Sequence, residues 1–255
     1  METLRVGTFN TKDNAVNRNG GLKEDGISNA DIVSKIIKEN QFDLLGTQEL
    51  TVKYVSEIAS RLENYKFYGS YRYGNLLTKI PFNENNNIIT KHNIILEKTL
   101  WLPWIANNLS DLHKSIKKMS IMPRIATVVI LEDEDNKKIC MINTHLDYQI
   151  SSIQIRQLEA LKKIIDKYSK DYSIILTGDF NMEFGNKNFD SFVSDMKNTL
   201  QHVNISEKTW HGPNGEEATL DHIFIPKNWE VENVGIIDSR NTSDHDIIYT
   251  DVRRR

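Results

Sequence analysis

Four groups of polar residues follow short apolar runs, and their side chains are of the types that bind metal ions or transfer protons. They are Asn10, Gln48-Glu49, His145 with Asp147, and Gly178-Asp179-Phe180-Asn181. Carboxylate and amide oxygens are the ligands that Mg²⁺ prefers, and imidazole and carboxylate groups are common catalytic acids and bases. These residue types together suit metal-assisted hydrolysis.

Two further clusters lie near the C-terminal end of the chain. They are Leu220-Asp221-His222 and Thr242-Ser243-Asp244-His245-Asp246, and the second places a carboxylate beside an imidazole. Each residue taken alone also has a structural explanation, because Asn and Asp favour turns and helix caps. Six such groups in one chain favour a shared site.

The apolar runs predict the elements that position these groups. Predicted helices are Ser28–Glu39 with Ser28 as N-cap, Val52–Leu62 and Ile153–Tyr168. Predicted strands are Leu4–Phe9, Phe42–Gly46, two short strands within residues 66–79, Ile125–Leu131, Ile139–Asn143, Tyr172–Thr177, Leu220–Ile225, Val231–Ile237 and Ile247–Val252. In α/β folds ligands collect beyond the carboxyl ends of strands, which is where the first four polar groups stand.

The stretch 83–122 has the weakest pattern. Asn83–Asn87 is predicted to be a polar loop, and Leu109–Lys118 a helix. Trp101 and Trp104 fit a base-stacking surface, a lipid contact, core packing or a lid. The acidic run 132–136 is interpreted as a solvated hairpin turn rather than a calcium site.

Composition limits the classes of function. The chain has 255 residues, a formal net charge of −3 and one cysteine, Cys140. Global charge therefore gives no sign of nucleic-acid binding, and a nuclease would need a local basic patch. There is no secretory leader pattern and no apolar run of about 20 residues, the length of a membrane span. We expect a single domain over 1–255, cytoplasmic, monomeric and without stable membrane insertion.

Several hydrolase classes lack their motifs in this chain. There is no Gly-Asn-His of binuclear metallophosphoesterases and no His-Glu-x-x-His or cysteine pair of zinc hydrolases. Gly-x-Ser-x-Gly, the motif of serine hydrolases, is also missing.

Taken in order, the polar groups resemble the signature motifs of the endonuclease/exonuclease/phosphatase superfamily. The similarity covers residues 4 to about 252, and its motifs are Asn10, Gln48-Glu49, Asn143-Thr144-His145-Leu146-Asp147, Gly178-Asp179-Phe180-Asn181 and Ser243-Asp244-His245. Pro123–Thr127 and Thr209–Gly212 resemble weaker motifs. The second of these, with Trp101-Leu102-Pro103, resembles a bacterial branch near exonuclease and deadenylase-type members.

The resemblance implies a four-layer α/β sandwich, in which two mixed β-sheets pack face to face and are flanked by helices. It also implies a divalent metal, Mg²⁺ with Mn²⁺ as the alternative, on the ligands Asn10, Glu49 and Asp244. The implied catalytic and phosphate-binding residues are Arg124, His145, Asp179, Asn181, Asp221 and His245. Among them, Asp179 would orient or deprotonate the water, and Asn181 would hold the water or the phosphate. His145 would donate to the phosphate or the leaving oxygen, Arg124 would be a phosphate or structural contact, and Asp221 would orient His245. Whether Asp179 or His245 is the base stays open.

The implied activity is hydrolysis of phosphodiesters or phosphomonoesters, with nucleic acid or nucleotides as the first substrate hypothesis. A sphingomyelinase-like lipid phosphodiesterase and a small-molecule phosphatase of the same fold stay open. A non-catalytic binding module is the alternative of another class. Inositol-polyphosphate phosphatases are disfavoured, because Met182-Glu183-Phe184 follows Asn181 where their motif carries an arginine.

If Glu49 is the principal metal ligand, Glu49→Gln should weaken metal binding more than it weakens folding. The substitution keeps the side chain's shape and removes its charge, which a hard cation such as Mg²⁺ requires. Activity measured against Mg²⁺ concentration, with thermal unfolding alongside, tests this assignment. An unchanged Mg²⁺ dependence would show that Glu49 is not the ligand.

Overall fold

Two six-stranded β-sheets lie face to face at the centre of the protein. A computed structural model describes residues 3–12, 26–74, 83–104, 122–132 and 137–254. The first sheet contains, in spatial order, β15 (Glu230–Ile237), β16 (Ile247–Arg253), β1 (Thr3–Asn10), β2 (Leu44–Gln48), β6 (Ile88–Thr90) and β4 (Lys66–Tyr68). The second contains β11 (Leu200–His202), β14 (Asp221–Pro226), β10 (Ser173–Asp179), β9 (Lys138–His145), β8 (Ile125–Glu132) and β7 (Ile94–Trp101). Two short ladders pair β3 (Leu50–Thr51) with β5 (Glu84–Asn85) and β12 (Trp210–His211) with β13 (Glu217–Ala218).

Both sheets use the same pairing scheme at their centres. Strands β1 and β2 are parallel, as are β9 and β10, and the other neighbours are antiparallel. The carboxyl ends of these four strands therefore meet at one edge of the sandwich. The antiparallel strands β14 and β16 begin at that same edge, since Asp221 pairs with Asp179 and Ile248 with Thr8.

Helices cover the outer face of each sheet. Helices α1 (Asn29–Asn40) and α2 (Val52–Ala59) pack on the first sheet through a core that includes Val33 and Ile58. Helices α3 (Ser151–Tyr168) and α4 (Lys187–Met196) pack on the second through Leu161 and Phe189. A third apolar core, including Val6 and Val129, fills the space between the sheets. The predicted four-layer sandwich is thus confirmed.

The start of α1 follows the prediction from sequence. The Ser28 side chain accepts a hydrogen bond from the Asp31 backbone N–H, and the Asp31 side chain accepts one from the Ser28 backbone N–H. This reciprocal capping box satisfies two N–H groups that the first turn leaves unpaired. Helix α2 ends three residues earlier than predicted, where Arg61 and Leu62 N–H groups bond three residues back in a tight turn.

The polar stretch Asn83–Asn87 is buried, and the polar loop predicted there is interrupted by a short strand. Strand β5 lies within it and pairs with β3. The Asn85 and Asn86 side chains donate to the backbone carbonyls of Gly69 (2.8 Å) and Ile125 (2.9 Å). Where the strands end, these asparagine side chains make hydrogen bonds to backbone carbonyls. The polar composition of the stretch alone could not distinguish such buried side chains from solvent-exposed ones.

Other differences concern elements with weak or irregular patterns. Strand β7 was not predicted, because most of its side chains are exposed and do not alternate. Helix α4 was also missed, although Phe189, Phe192 and Met196 recur at helical spacing. The predicted helix 109–118, most of the acidic turn 132–136 and the second strand within 66–79 lie outside the described residues. Among the described helices, none has the length and apolar character needed to cross a bilayer.

A buried polar seam, formed by Thr8, Gln48, Asn143 and Thr177, joins the two sheets beneath the edge described above. The Gln48 amide donates to Asn143 Oδ1 (2.7 Å) and to Thr8 Oγ1 (3.0 Å), and Thr177 Oγ1 donates to Asn143 Oδ1 (3.2 Å). The glycine at position 46 lets Asn143 and Thr177 approach the first sheet, because a Cβ there would lie 2.6 Å from Asn143 Oδ1 and 2.3 Å from Thr177 Oγ1.

Asn143→Ala should destabilise the fold by about 3 kcal/mol. Asn143 Nδ2 also donates to the carbonyls of Thr47 (2.8 Å) and Asn87 (2.9 Å), so its loss leaves several buried polar groups short of a partner. Urea unfolding measures the cost, with exposed Asn233→Ala as a control that should stay within about 0.5 kcal/mol of wild type. Equal effects of the two substitutions would contradict the importance of the polar seam.

Candidate active site

A cleft of about 560 Å³ opens at the edge where the strands of both sheets end. Eight residues predicted from the sequence to belong to the site line it: Asn10, Glu49, Arg124, His145, Asp179, Asn181, Asp244 and His245. The ninth, Asp221, is fully buried behind His245. The structure therefore brings all nine into one region.

His245 is held by a carboxylate on the side away from the cleft. Its Nδ1 lies 2.8 Å from Asp221 Oδ2, and the Thr209 hydroxyl donates to the same oxygen (2.7 Å). The loop that carries His245 is bound to β12 through a bridge between Trp210 and His245. These contacts fix the ring orientation, so that Nε2 points towards Asp179.

Asp179 lies between two imidazole rings at the bottom of the cleft. Its Oδ2 is 3.8 Å from His245 Nε2 and 3.6 Å from His145 Nε2, and it accepts a hydrogen bond from Asn10 Nδ2 (2.9 Å). Its Oδ1 accepts the backbone N–H of Asn181 (2.9 Å). With one oxygen anchored by the backbone, the other faces groups that can exchange protons.

The two histidines have opposite pKa shifts. Burial lowers the pKa of His245, but the nearby Asp221 and Asp179 carboxylates outweigh burial and raise it above the ordinary value. Burial lowers the pKa of His145 well below the ordinary value, and the positive charges of Arg124 and Arg72 lower it further. The cleft therefore has a charged imidazole on one side and a neutral one on the other.

Burial also raises the pKa of the Asp179 carboxyl, and the charge of Asp221 acts in the same direction. The positive His245 and the hydrogen bond from Asn10 oppose this effect. Asp179 and His245 thus share one electrostatic environment, and a change in one alters the proton affinity of the other.

Three residues at the cleft have the left-handed backbone conformation that non-glycine residues rarely adopt. They are Lys12 (φ 52°), Glu49 (φ 61°) and Asn181 (φ 51°). Glu49 follows the last residue of β2, and its Oε1 accepts a hydrogen bond from Asn10 Nδ2 (3.2 Å). Backbone strain of this kind costs about 1–3 kcal/mol per residue and clusters at functional sites.

The carboxylates at the cleft offer two positions for a cation. Glu49 and Asp244 are partly exposed to the cleft, and Asp244 already attracts the Lys12 ammonium group at 2.7 Å. Ligand atoms of Asp179, Asp221 and His245 also lie within 4.8 Å of one another. A metal at this second position would need a neutral His245, against the raised pKa that Asp221 and Asp179 give it. The hard oxygen donors of Glu49 and Asp244 fit Mg²⁺ without that cost.

His145 and Arg124 bring buried ring and guanidinium nitrogens to the cleft. His145 Nδ1 is buried, is 4.0 Å from Glu49 Oε1 and has no hydrogen-bond partner among the residues that the structure describes. Arg124 Nε is also buried and has no hydrogen-bond partner among the described residues. Buried donors without acceptors are costly, and an oxyanion of a ligand would satisfy them.

Sequence reasoning missed part of the lining. Lys12, Arg72, Glu84, Met122 and Tyr148 border the cleft and were not predicted to do so. Lys12 and Tyr148 each lie two or three positions from a predicted site residue, which was an available signal. Arg72 and Glu84 had none, because Arg72 lies in the region of two predicted short strands and Glu84 in a predicted polar loop, and neither segment carried a motif. Asp147, part of a predicted motif, instead accepts the backbone N–H groups of Gln149 and Ile150 at the start of α3.

The sequence profile of the Endonuclease/Exonuclease/phosphatase family matches residues 16–245. The chain belongs to this family. The three activities in the family's description are all hydrolyses of phosphate esters, so membership places the chain among phosphoester hydrolases.

One curated relative is the Uncharacterized protein L388 of Acanthamoeba polyphaga mimivirus. The identity is 33% over 107 residues, and the match covers 37% of this chain and 39% of the relative. The chain therefore matches well under half the length of that relative.

Solved structures with the same fold cover essentially the whole chain. A family member from Bacteroides vulgatus has a TM-score of 0.80 at 18% identity, and the alignment covers 100% of both chains. A mannosyl-6-phosphatase from Bacteroides thetaiotaomicron has a TM-score of 0.77 at 19% identity, covering 98% of this chain and 99% of that one. TDP2 of D. rerio, complexed with a single strand DNA product, has a TM-score of 0.72 at 15% identity over 99% of this chain and 100% of that one. At these identities the likeness shows the fold alone.

Asp221→Asn and His245→Ala should each reduce kcat about 10²–10⁴-fold, and the double variant should be little worse than His245→Ala alone. The two residues form one hydrogen-bonded unit, so that losing either removes the positioned imidazole. Steady-state kinetics of the three variants test this. His92→Ala serves as a control, because His92 lies near the opposite end of β2, where Thr90 pairs with Leu44. Fully multiplicative losses would show that the pair does not act as a unit.

Proposed function

We propose that this protein is a Mg²⁺-dependent phosphodiesterase that hydrolyses nucleotide or nucleic-acid substrates, with residues 1–255 acting as one domain. One observation carries the proposal. Asp179 faces the Asp221-supported His245 on one side and is joined through Asn10 to Glu49 on the other. A proton-transfer pair and a metal-type carboxylate therefore share one cleft.

In the proposed reaction, a water held between Asp179 Oδ2 and His245 Nε2 attacks phosphorus. The new bond joins the water oxygen to phosphorus, and the bond from phosphorus to the leaving oxygen breaks. The water proton passes to the Asp179 carboxylate, the departing oxygen takes a proton from a water in the cleft, and His145 is placed to donate a hydrogen bond to that oxygen. Asn181, whose side chain is fixed to the Leu146 carbonyl (3.0 Å), holds the Asp179 loop in position.

Glu49, Asn10 and Asp244 would hold the metal, which is Mg²⁺ in this proposal, with Mn²⁺ as a substitute. When bound, it neutralises charge on the phosphoryl oxygens. Arg124 and His145 bind the remaining phosphoryl oxygens. Support for this assignment is that both line the same cleft as Glu49 and Asp244 and carry buried nitrogens without a hydrogen-bond partner among the described residues.

Aromatic side chains at the cleft support a substrate that contains a base. Tyr148 lines the cleft and is 59% exposed, and Trp210 lines it beside His245. Such rings stack on nucleobases without regard to sequence. The formal net charge of −3 disfavours long duplexes, so that nucleotides and short single strands fit better.

A small-molecule phosphatase is the second candidate, and the same net charge favours it. The likeness in fold to a mannosyl-6-phosphatase is compatible with this alternative. The two candidates differ in whether the scissile phosphate carries one ester or two.

Hydrolysis of a substrate panel in Mg²⁺ tests the proposal. We expect activity on thymidine 5′-(p-nitrophenyl phosphate) and on short single-stranded DNA or RNA, loss of activity in EDTA, and recovery with Mg²⁺ or Mn²⁺. His245→Ala, prepared in parallel, excludes a contaminating enzyme. Turnover of sugar monophosphates alone would favour the phosphatase, and turnover of sphingomyelin alone a lipid phosphodiesterase. Full activity in EDTA would contradict the metal requirement.

A further inference from the structure

Two arginine side chains are buried in the wall of the cleft beside His145. Arg72 is 3% exposed and Arg124 is 5% exposed, and both line the cleft. The Glu84 carboxylate forms an ion pair with Arg72 Nη2. Two guanidinium groups thus share a small region in which a single carboxylate is bonded directly to Arg72.

Each of the two guanidinium groups has a nitrogen that lacks a strong hydrogen-bond acceptor among the described residues. Arg72 Nη1 donates to the thioether sulphur of Met122 (2.9 Å), and a thioether is a weak acceptor. Arg124 Nε is buried without a partner among the described residues. Both side chains therefore retain donor capacity that a strong acceptor would satisfy.

The arginines are close enough to affect each other electrostatically. Burial lowers the pKa of Arg124, and the charge of Arg72 lowers it further, although the carboxylates of Glu49, Asp147 and Glu84 oppose this effect. Met122, which contacts Arg72, lies two residues before Arg124 in the same extended segment. Like charges buried together repel, and an anion bound between them would remove the repulsion.

We propose that Arg72, together with Arg124, forms a second anion subsite that binds a phosphoryl group other than the one being hydrolysed. This inference rests on the proposed function, in which Arg124 and His145 contact the reacting phosphate. Arg72 then binds a neighbouring phosphoryl group, with a phosphate oxygen replacing Met122 Sδ as the acceptor. The substrate class is a phosphate ester that carries a second phosphate, either a flanking phosphate of an oligonucleotide or the second phosphate of a bisphosphate.

A purely structural ion pair explains less of the geometry. It accounts for Arg72 Nη2 on Glu84 but leaves Nη1 on a weak acceptor. It also gives no reason for a second buried guanidinium group, Arg124, beside the first. The subsite accounts for all three features with one ligand.

Equilibrium binding tests the subsite without requiring hydrolysis. Methylenediphosphonate, with two phosphoryl groups, and methylphosphonate, with one, are titrated into the protein by calorimetry in EDTA. We expect wild type to bind the diphosphonate about 10- to 100-fold more tightly, the range that charged hydrogen bonds contribute. Arg72→Met should bring the ratio of the two affinities close to one. Arg72→Lys keeps the positive charge but not the planar array of guanidinium donors, and it should give an intermediate ratio.

Controls separate loss of the subsite from loss of the fold. Arg72→Met takes the guanidinium group away from the buried Glu84 carboxylate. The double variant Arg72→Met/Glu84→Gln therefore removes both charges together, and thermal unfolding confirms that each variant is folded. Arg240→Met removes one positive charge outside the cleft and should keep the wild-type ratio. An unchanged ratio in the folded double variant would overturn the proposal.

Kinetics then distinguish failure of the subsite from failure of the proposed function. The ratio of kcat/KM for dithymidine monophosphate with and without a 5′-phosphate should fall in Arg72→Met if the second phosphate belongs to a nucleotide. A fall confined to hexose bisphosphate against hexose monophosphate would assign it to a small bisphosphate. Binding selectivity without hydrolysis of any ester would keep the subsite and reject the phosphodiesterase, whereas hydrolysis with ratios that do not depend on Arg72 would do the reverse.

Discussion

The hydrogen bond between Gln48 and Asn143 joins the two sheets at the point where the rest of the site depends on their alignment. Gln48 immediately precedes Glu49, and Asn143 lies two residues before His145. Because side chains alternate along a strand, a one-residue slip of β2 or β9 within its own sheet would turn these groups away from the cleft. The polar seam therefore sets the distance between the metal-type carboxylate and the histidine on opposite sheets. Its burial makes any other register costly.

Above the buried polar seam, the residues that follow two of the strands have a strained backbone. Glu49 and Asn181 adopt left-handed backbone conformations directly beyond β2 and β10. The strands themselves are regular, so that the strain is confined to the residues whose side chains must leave the sheet and enter the cleft. The apolar cores on both faces of each sheet supply the stability that offsets it.

Much of the fold followed from sequence because apolar periodicity and capping are local. Ser28 and the runs around Ile139 and Ile174 predicted their elements, and polar residues at strand ends identified most of the cleft. The wall formed by Arg72 and Glu84 could not be predicted in this way. Arg72 lies in the region of two predicted short strands and Glu84 in a predicted polar loop, and neither segment carried a motif. Tertiary hydrogen bonds bury both side chains, and the local sequence does not indicate those contacts.

The account depends most on the division of the cleft between a metal position at Glu49 and a proton-transfer pair at Asp179 and His245. Anomalous scattering from crystals of the wild-type protein soaked in Mn²⁺ tests that division directly. The account predicts a peak within coordination distance of the Glu49 carboxylate, with the hydrogen bond between Asp221 and His245 intact. A peak coordinated by Asp179, Asp221 and His245, with none at Glu49, would contradict it.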